Sequence, residues 1–196
     1  MHEKKFDPKK LEKLNNPKRL LDIPPKFIGA KLGIEAVQTV VEIGAGTGFY
    51  SVAFWELYHP ARLYACDVSE TMLDWVRDHV VPRYPGIIPV KTEENVVPLS
   101  DGGVDLVFMI NLHHELDQPP LILRESYRLL KPGGVLFIVD WKKEEMNEGP
   151  PSSIRCTPDQ VVGDLEQAGF RDAIIHHDLE KHFLIISKKA IPGQRP

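Results

Sequence analysis

The stretch 41-VEIGAGTG-48 places three glycines directly after a run of apolar residues. Gly44, Gly46 and Gly48 alternate with small residues, and this spacing lets the backbone reverse tightly and approach a ligand without obstruction by Cβ atoms. A helix is expected to begin near Phe49, with its free amide groups directed at that ligand. The pattern therefore predicts a strand, a glycine-rich turn and a helix that together bind a nucleotide-like molecule.

The glycine spacing differs from the dinucleotide fingerprint G-x-G-x-x-G, because the third glycine comes one place early and the bulky Phe49 stands at the last position. The next predicted strand ends at Asp67, where a carboxylate can accept hydrogen bonds from both hydroxyls of a ribose. Ser69 is the predicted N-cap of the following helix, which leaves Asp67 for the ligand. The carboxylate at this position favours an adenosine-like ligand. The glycine spacing disfavours an NAD(P)-dependent oxidoreductase, which remains an alternative.

Apolar strands and amphipathic helices alternate from residue 38 onward. The predicted strands are QTVVEIG, ARLYACD, GIIPVKT, VDLVFMI and GVLFIVDW, and the helices between them include FYSVAFWELYH, SETMLDWVRDHV and PLILRESYRLL. This alternation is typical of βαβ units that build a parallel sheet covered on both faces.

The C-terminal third breaks the alternation. A helix over residues 157–170 is predicted to begin with a capping box of Thr157 and Gln160. The strands RDAIIHH and HFLIISKK follow, and the linker DLEK between them is too short for a crossover helix, so they must pair antiparallel. The sequence thus predicts an α/β, Rossmann-like, doubly wound sheet of seven strands, mostly parallel with a C-terminal antiparallel hairpin.

Size and composition fit one soluble domain over residues 1–196, with 42% hydrophobic and 27% charged residues. We expect a cytoplasmic protein, since neither a signal peptide nor a membrane span is visible. Residues 1–31 carry nine lysines and arginines against four acids, net +5, which leaves net −9 for the rest. An acidic body disfavours nucleic-acid binding. The sequence leaves the oligomeric state open.

Two segments outside the regular alternation accompany the predicted core, which spans residues 38–190; one precedes the core and the other interrupts it after the fifth strand. One is an N-terminal helical arm over residues 1–37, and the other is the loop KKEEMNEGPPSS at residues 142–153. Both are long enough to act as lids, and we expect them to cover the part of the ligand crevice beyond the fourth and fifth predicted strands.

Four ordered pieces of the chain carry a resemblance to a known family. They are VVEIGAGTG, YACDVSETML, EENVVPLSDGGVDLVFMINLHHELD and RESYRLLKPGGVLFIVDW. Over roughly residues 38–187 the chain resembles the class I S-adenosylmethionine (SAM)-dependent methyltransferases, in particular the small-molecule branch that includes the ubiquinone/menaquinone C-methyltransferases. The resemblance implies SAM as cofactor, S-adenosylhomocysteine (SAH) as product and a small-molecule acceptor whose identity stays open. The space beyond the fourth and fifth strands would then be the acceptor side, and the two predicted lids would cover it.

The resemblance also implies a set of cofactor-binding positions. The methionine part would lie against Glu42, the backbone of the glycine turn and Asn111, the ribose against Asp67, and the adenine between Val68 and Met72. The adenine amino group would meet Glu93 or Glu94, which the resemblance does not separate. The full set is Glu42, Gly44, Ala45, Gly46, Gly48, Asp67, Val68, Met72, Glu93, Glu94 and Asn111.

The histidines of NLHHELDQ offer candidate catalytic groups but no metal site, because Gln118 replaces the second histidine of an H-E-x-x-H pattern. His113 and His114 follow the end of a strand that faces the crevice. Either is a candidate general base or acceptor-orienting group, or a residue that packs within the loop. Asp140 borders the same crevice and completes the catalytic candidates, whereas the neighbouring Trp141 either stacks on an acceptor or packs under the 142–153 loop.

One alternative from a different class remains. The glycine turn and Asp67 concern binding alone, so the residues also fit a SAM-binding sensor or a non-catalytic partner subunit. Methyl transfer from a sulfonium requires mainly the alignment of the acceptor, which is worth effective molarities on the order of 10⁵ M. A conspicuous catalytic triad is therefore not expected even in an active enzyme.

Overall fold

The computed structural model describes residues 11–193 and contains a seven-stranded sheet in the order β3-β2-β1-β4-β5-β7-β6. The strands are β1 (Thr39–Ile43), β2 (Arg62–Asp67), β3 (Ile87–Lys91), β4 (Val104–Ile110), β5 (Leu130–Trp141), β6 (Arg171–His176) and β7 (His182–Lys188). β1 to β5 are parallel, and β7 is antiparallel to both β5 and β6. The predicted α/β fold, with its seven strands and terminal hairpin, is confirmed.

Helices cover both faces of the sheet. They are α1 (Leu11–Leu14), α2 (Arg19–Asp22), α3 (Pro25–Leu32), α4 (Phe49–Tyr58), α5 (Glu70–His79), α6 (Pro119–Leu129) and α7 (Pro158–Gln167). α3, α4 and α5 pack on one face, and α6 and α7 on the other. The central strands β1, β4 and β7 are buried along nearly their whole length, so their apolar runs are continuous, whereas the edge strands β3 and β6 are partly exposed. Along residues 11–193, no helix combines the length and the apolar character that crossing a lipid bilayer requires.

Aromatic packing fixes α4 on the centre of the sheet. Phe54 of α4 lies 4.8 Å from Phe108 of β4 and 5.2 Å from Phe137 of β5, measured between ring centroids. All three side chains are fully buried. This cluster holds the first turn of α4 at the carboxyl end of β1, where the glycine turn lies.

The helix starts follow the predictions in part. Thr157 and Gln160 form the predicted capping box of α7. Ser69 occupies the N-cap position of α5, but its side chain makes no capping hydrogen bond. Instead, the Asp67 carboxylate accepts a hydrogen bond from the Ser69 amide. The expectation that Ser69 relieves Asp67 of a capping role is therefore wrong.

The order of the strands creates a crevice. The chain leaves β1 towards β2 on one side and returns to β4 on the other, so β1 and β4 are neighbours whose following loops diverge. Ligands of open α/β sheets bind at such a switch point, beyond the carboxyl ends of the strands. The glycine turn after β1 and Asn111 after β4 both lie there. The described part of the predicted arm contains the three helices α1, α2 and α3 joined by irregular residues, and its first ten residues lie outside the described part.

Candidate cofactor and acceptor site

A cavity of about 1200 Å³ opens at the carboxyl ends of the parallel strands. Its floor consists of the glycine turn and the ends of β1, β2 and β4, and its rim consists of the N-terminal arm and the 142–153 loop. Pockets for small ligands usually measure about 300–1,000 Å³. The cavity therefore has room for a nucleoside-sized cofactor together with a second molecule.

The glycine turn needs its first two glycines for different contacts. Gly44 and Gly46 have φ values of +74° and +54°, in the left-handed region. A Cβ on Gly44 would lie 2.7 Å from Leu112, and one on Gly46 would lie 3.3 Å from Leu14 of the arm. Both glycines line the cavity, as Ala45 does.

Gly48 has a different place from the one the resemblance implies. It does not line the large cavity, and it forms the left-handed N-cap of α4 with φ +73°. A Cβ there would lie 3.2 Å from Val76 of α5. The structure therefore assigns Gly48 to the packing of α4 against α5 rather than to the surface that a cofactor can touch.

Asp67 is fixed at the tip of β2 by two backbone amides. Its Oδ2 accepts a hydrogen bond from the Gly46 amide and its Oδ1 accepts one from the Ser69 amide, both at 2.8 Å. Burial raises the pKa of this carboxyl, and the two amides oppose that effect. Each carboxylate oxygen retains a further lone pair. Asp67 lines the cavity, so it can still accept hydrogen bonds from ribose hydroxyls.

Glu42 is a buried acid in the floor of the cavity. It is 2% exposed, and it accepts a hydrogen bond from the hydroxyl of Ser51 on α4. Burial raises the pKa of Glu42 to about 8, while the Ser51 hydroxyl and the nearby Arg19 act in the opposite direction. Glu42 is therefore mainly protonated at neutral pH in the ligand-free protein, and a cation above it would favour ionisation.

Asn111 occupies the carboxyl end of β4 in a strained conformation. Its φ is +56°, and its backbone amide donates a hydrogen bond to the carbonyl of Val139 at 2.8 Å. Within residues 11–193, its Oδ1 and the buried hydroxyl of Thr47 have no hydrogen-bond partner. Both residues line the cavity. Buried polar atoms without partners are rare, and here they mark positions where a polar ligand can bind.

The predicted adenine-binding residues also line the cavity. Met72 is buried, and Val68 is 41% exposed, which is high for an apolar side chain and consistent with a surface that a ligand covers. Glu93 pairs with Val96 in an isolated bridge, and Glu94 follows it. Both glutamates line the cavity, so the structure leaves open which of the two would meet the adenine amino group.

His114 and Asp140 form a buried pair on the acceptor side of the cavity. His114 Nδ1 lies 2.7 Å from Asp140 Oδ1, and the His114 amide donates to Asp140 Oδ2 at 3.0 Å. The same carboxylate accepts from the Trp141 amide at 2.7 Å. An ionised carboxylate only accepts hydrogen bonds, so Nδ1 carries the proton and Nε2 is the basic nitrogen. His114 lines the cavity, and Asp140 lies behind it.

The structure does not bring His113 to the cavity. Its side chain is fully buried, and its Nε2 lies 3.3 Å from Asp164 Oδ2 on α7. Although burial opposes the charged form, Asp164 and Cys156 raise the pKa of His113 to about 9. His113 therefore belongs to the contact between the loop after β4 and α7. Of the two adjacent histidines, only His114 is placed to touch a substrate.

Trp141 packs beneath the 142–153 loop. Its ring contacts His182, with centroids 4.2 Å apart, and a Cβ on Gly149 would lie 2.8 Å from the ring. The Arg155 guanidinium lies 5.6 Å from the ring centroid. These neighbours support the packing alternative, although Trp141 also lines the cavity.

Arg155 orders the 142–153 loop. Its guanidinium is buried and donates to four loop carbonyls, those of Lys142 at 3.1 Å and of Glu144, Glu148 and Pro150, each at 2.8 Å. The loop is polar and rich in proline, so the sequence gives no sign that one arginine beyond its end holds it.

The arm reaches the cofactor side of the cavity as well as the acceptor side. Arg19 lies over the rings of Phe49 and Tyr50, at 5.3 and 4.7 Å from their centroids, and Tyr50 donates to the Arg19 carbonyl. With Leu14 against Gly46, these contacts contradict the expectation that the arm covers the acceptor side alone.

Lys181 joins the two covering segments. Its Nζ lies 3.1 Å from Asp22 of the arm and 2.7 Å from Glu148 of the loop. Arg19, Lys181 and His182 line the cavity but escaped the sequence analysis. The basic character of the arm as a whole was the available sequence signal, and it concerns Arg19. Lys181 and His182 had none, because they acquire their neighbours through strand pairing.

Comparison with known proteins gives a consistent family. The methyltransferase domain family matches residues 41–138. A methyltransferase of Bacillus subtilis, YdaC, is 27% identical over 142 residues, which cover 72% of this chain and 76% of that protein. The ubiquinone/menaquinone biosynthesis C-methyltransferase UbiE of Klebsiella pneumoniae is 28% identical over 116 residues, 57% of this chain and 45% of that enzyme.

A solved structure extends the likeness to nearly the whole chain. A SAM-dependent methyltransferase from Aquifex aeolicus is 34% identical and superimposes with a TM-score of 0.87, covering 95% of this chain and 100% of that one. The likeness therefore includes the covering segments as well as the sheet. By contrast, the chain spans less than half of the length of the C-methyltransferase, so that enzyme's substrate does not transfer with the fold.

Proposed function

The chain belongs to the methyltransferase domain family and is a class I SAM-dependent methyltransferase, and we propose that it methylates a small molecule bound beside His114. When bound, SAM supplies an electrophilic methyl group on a sulfonium. The residues of this chain then have to hold the cofactor, orient the acceptor, exclude water and remove the acceptor's proton. The family match supports neither an oxidoreductase nor a non-catalytic binder.

We assign the cofactor to the side of the cavity that holds the glycine turn. The unpaired Oδ1 of Asn111 and the unpaired hydroxyl of Thr47, judged within the described residues, fit the polar methionine end. Asp67 fits the ribose, and the exposed Val68 with Met72 fits the adenine. SAM carries a net positive charge, so the acidic floor formed by Glu42 and Asp67 suits it.

His114 is the proposed general base. Asp140 accepts one hydrogen bond from Nδ1, which orients the ring, and a second from the backbone amide of His114, so Nε2 can accept a proton from the acceptor as the new bond forms. The buried carboxylate then stabilises the imidazolium, as in other histidine–aspartate pairs. Asp140 does not touch the substrate and acts as a positioning residue.

One observation carries this proposal: a single cavity joins the glycine turn and Asp67 to the His114–Asp140 pair. A histidine fixed by a buried carboxylate at the wall of the same cavity favours catalysis over SAM binding alone. The arm and the 142–153 loop, which meet at Lys181, would exclude water from the reacting groups.

The test is the conversion of SAM to SAH in the presence of a pool of small metabolites. We expect wild-type protein to form SAH and a methylated product, and His114→Gln to bind SAM normally but to lose most of this turnover. His176→Gln is the matched control, because His176 lies on β6 and does not line the cavity. SAM binding without turnover in wild type, across acceptors of every class, would contradict the proposal.

A further inference from the structure

His182 is a buried polar residue for which the proposed mechanism has no use. It is the first residue of β7 and is 1% exposed. Within residues 11–193, neither nitrogen of its ring has a hydrogen-bond partner. A buried polar group without a hydrogen-bond partner destabilises a protein, because it has lost its bonds to water. Because His182 also lines the cavity, a bound molecule can supply the missing partner.

The position of His182 places it on the acceptor side. It pairs with Trp141 across the β5–β7 ladder, next to Asp140 and hence to the His114 pair. The neighbouring Lys181 is committed to two carboxylates. The cofactor groups of the proposed function lie at the ends of β1, β2 and β4 instead.

The protonation state of His182 restricts the chemistry of its partner. Burial lowers the pKa of His182 to about 4; Asp140 and Asp22 oppose that effect, and Lys181 and Arg19 add to it. The ring is therefore neutral at pH 7, with one N–H donor and one bare acceptor nitrogen. A hydroxyl both donates and accepts, so it can use either nitrogen. A carboxylate could use only the N–H and an ammonium group only the bare nitrogen, and burying either charge beside His182 would add a desolvation cost.

The lining beside His182 combines paired charges with apolar side chains. Lys181 is held by Asp22 and Glu148. The acceptor side of the cavity includes Leu116, Ile122, Ile154 and the prolines of the 142–153 loop. Trp141 completes this wall but is already covered by His182 and Gly149. An uncharged body with a polar group at the His182 end fits such a surface.

We propose that His182 binds a hydroxyl group of the methyl acceptor, and that the acceptor is an uncharged, hydroxyl-bearing molecule with an apolar body. The assignment of this molecule as the acceptor rests on the proposed function. His182 recognises the acceptor, whereas His114 removes its proton.

The test uses small probes of one ring size on SAH-saturated protein with 15N-labelled histidine. Phenol carries the hydroxyl, toluene lacks it and benzoate replaces it with a charge. We expect phenol to shift the His182 ring signals, identified by their loss in His182→Phe, and to bind at least tenfold more tightly than toluene or benzoate. His182→Phe should remove this preference, and His182→Gln should restore part of it because an amide donates and accepts.

His176→Phe is the control and should keep the preference for phenol. SAH affinity, measured by calorimetry, should be the same in every variant, which separates recognition of the acceptor from binding of the cofactor. Absence of phenol binding, unmoved His182 signals, or a phenol preference that survives in His182→Phe would each overturn the proposal. Failure of wild type to bind SAH would refute the proposed function itself, and calorimetry detects it independently.

Discussion

Replacing Glu42 by glutamine should make the stability of the ligand-free protein less dependent on pH. Burial raises the pKa of Glu42 to about 8, from an ordinary value of 4.5. A raised pKa means that the folded state holds the proton more tightly than the unfolded state does. The stabilisation is therefore fully present below pH 4.5 and is lost as the pH rises towards 8.

The size of the effect follows from the two pKa values. A tenfold difference in proton affinity between the folded and unfolded states corresponds to about 1.4 kcal/mol. Between pH 5.5 and 8.5, the linkage relation therefore predicts that Glu42 lowers the free energy of unfolding of wild type by about 3 kcal/mol. Glu42→Gln has no proton to lose, and its amide oxygen can still accept from the Ser51 hydroxyl. The free energy of unfolding of the variant should therefore rise by about 3 kcal/mol relative to that of wild type over this pH range.

Urea unfolding of the ligand-free protein at several pH values measures this difference. Glu166→Gln, which changes an exposed acid of α7, is the control and should follow the wild-type curve. If the curves of wild type and Glu42→Gln stay parallel between pH 5.5 and 8.5, Glu42 is ionised in the ligand-free fold and the reasoning fails.

The proton that Glu42 holds in the ligand-free protein should be released when SAM binds. A cation bound above Glu42 favours the ionised carboxylate, so SAM binding at pH 7 should release close to one proton. Calorimetry in phosphate and in Tris, whose ionisation enthalpies differ, measures this release. Glu42→Gln should show none from this group, and an equal release by both proteins would assign the proton to another residue.

Three further substitutions test the site. Asp67→Asn replaces a charged acceptor, so SAM should bind at least tenfold more weakly by calorimetry; unchanged affinity would place the ribose elsewhere. Asp140→Asn should lower the rate of SAH formation about 10²–10⁴-fold, because His114 loses the partner that fixes its tautomer, with SAM affinity unchanged; full activity would remove the pair from the mechanism. Gly149→Ala should displace the 142–153 loop, since its Cβ would lie 2.8 Å from Trp141. Hydrogen exchange in the loop should then be faster, and an unaltered rate would show that the contact is dispensable.

The fold was predictable because each of its elements has a local signal. Apolar runs of strand length alternate with helical patterns, and the linker DLEK excludes a crossover helix before β7. The place of Asp67 at the end of a strand followed from the same alternation of elements. Its hydrogen bonds to Gly46 and Ser69 did not, because they depend on how the glycine turn folds over the end of β2.

Side-chain direction was the part of the site that the sequence does not specify. His113 and His114 share one short 3₁₀ turn, where neighbouring side chains diverge, and packing against α7 decides that His113 turns away. Gly48 was equally ambiguous, since a glycine required for helix packing looks like one required for ligand approach. His182 gained significance only when the β5–β7 pairing set it beside Trp141.

The hydrogen bonds of Arg155 bear on the thermodynamics of acceptor binding. Since one buried guanidinium already fixes four carbonyls of the 142–153 loop, the loop does not have to fold around each incoming molecule. Binding then avoids the ordering entropy that a disordered lid imposes, and the heat-capacity change should reflect only the apolar area that the acceptor itself buries. We therefore expect the loop to move as one preformed unit. Its release requires the Glu148–Lys181 ion pair, worth about 1 kcal/mol or less, to break together with the packing of Gly149 on Trp141.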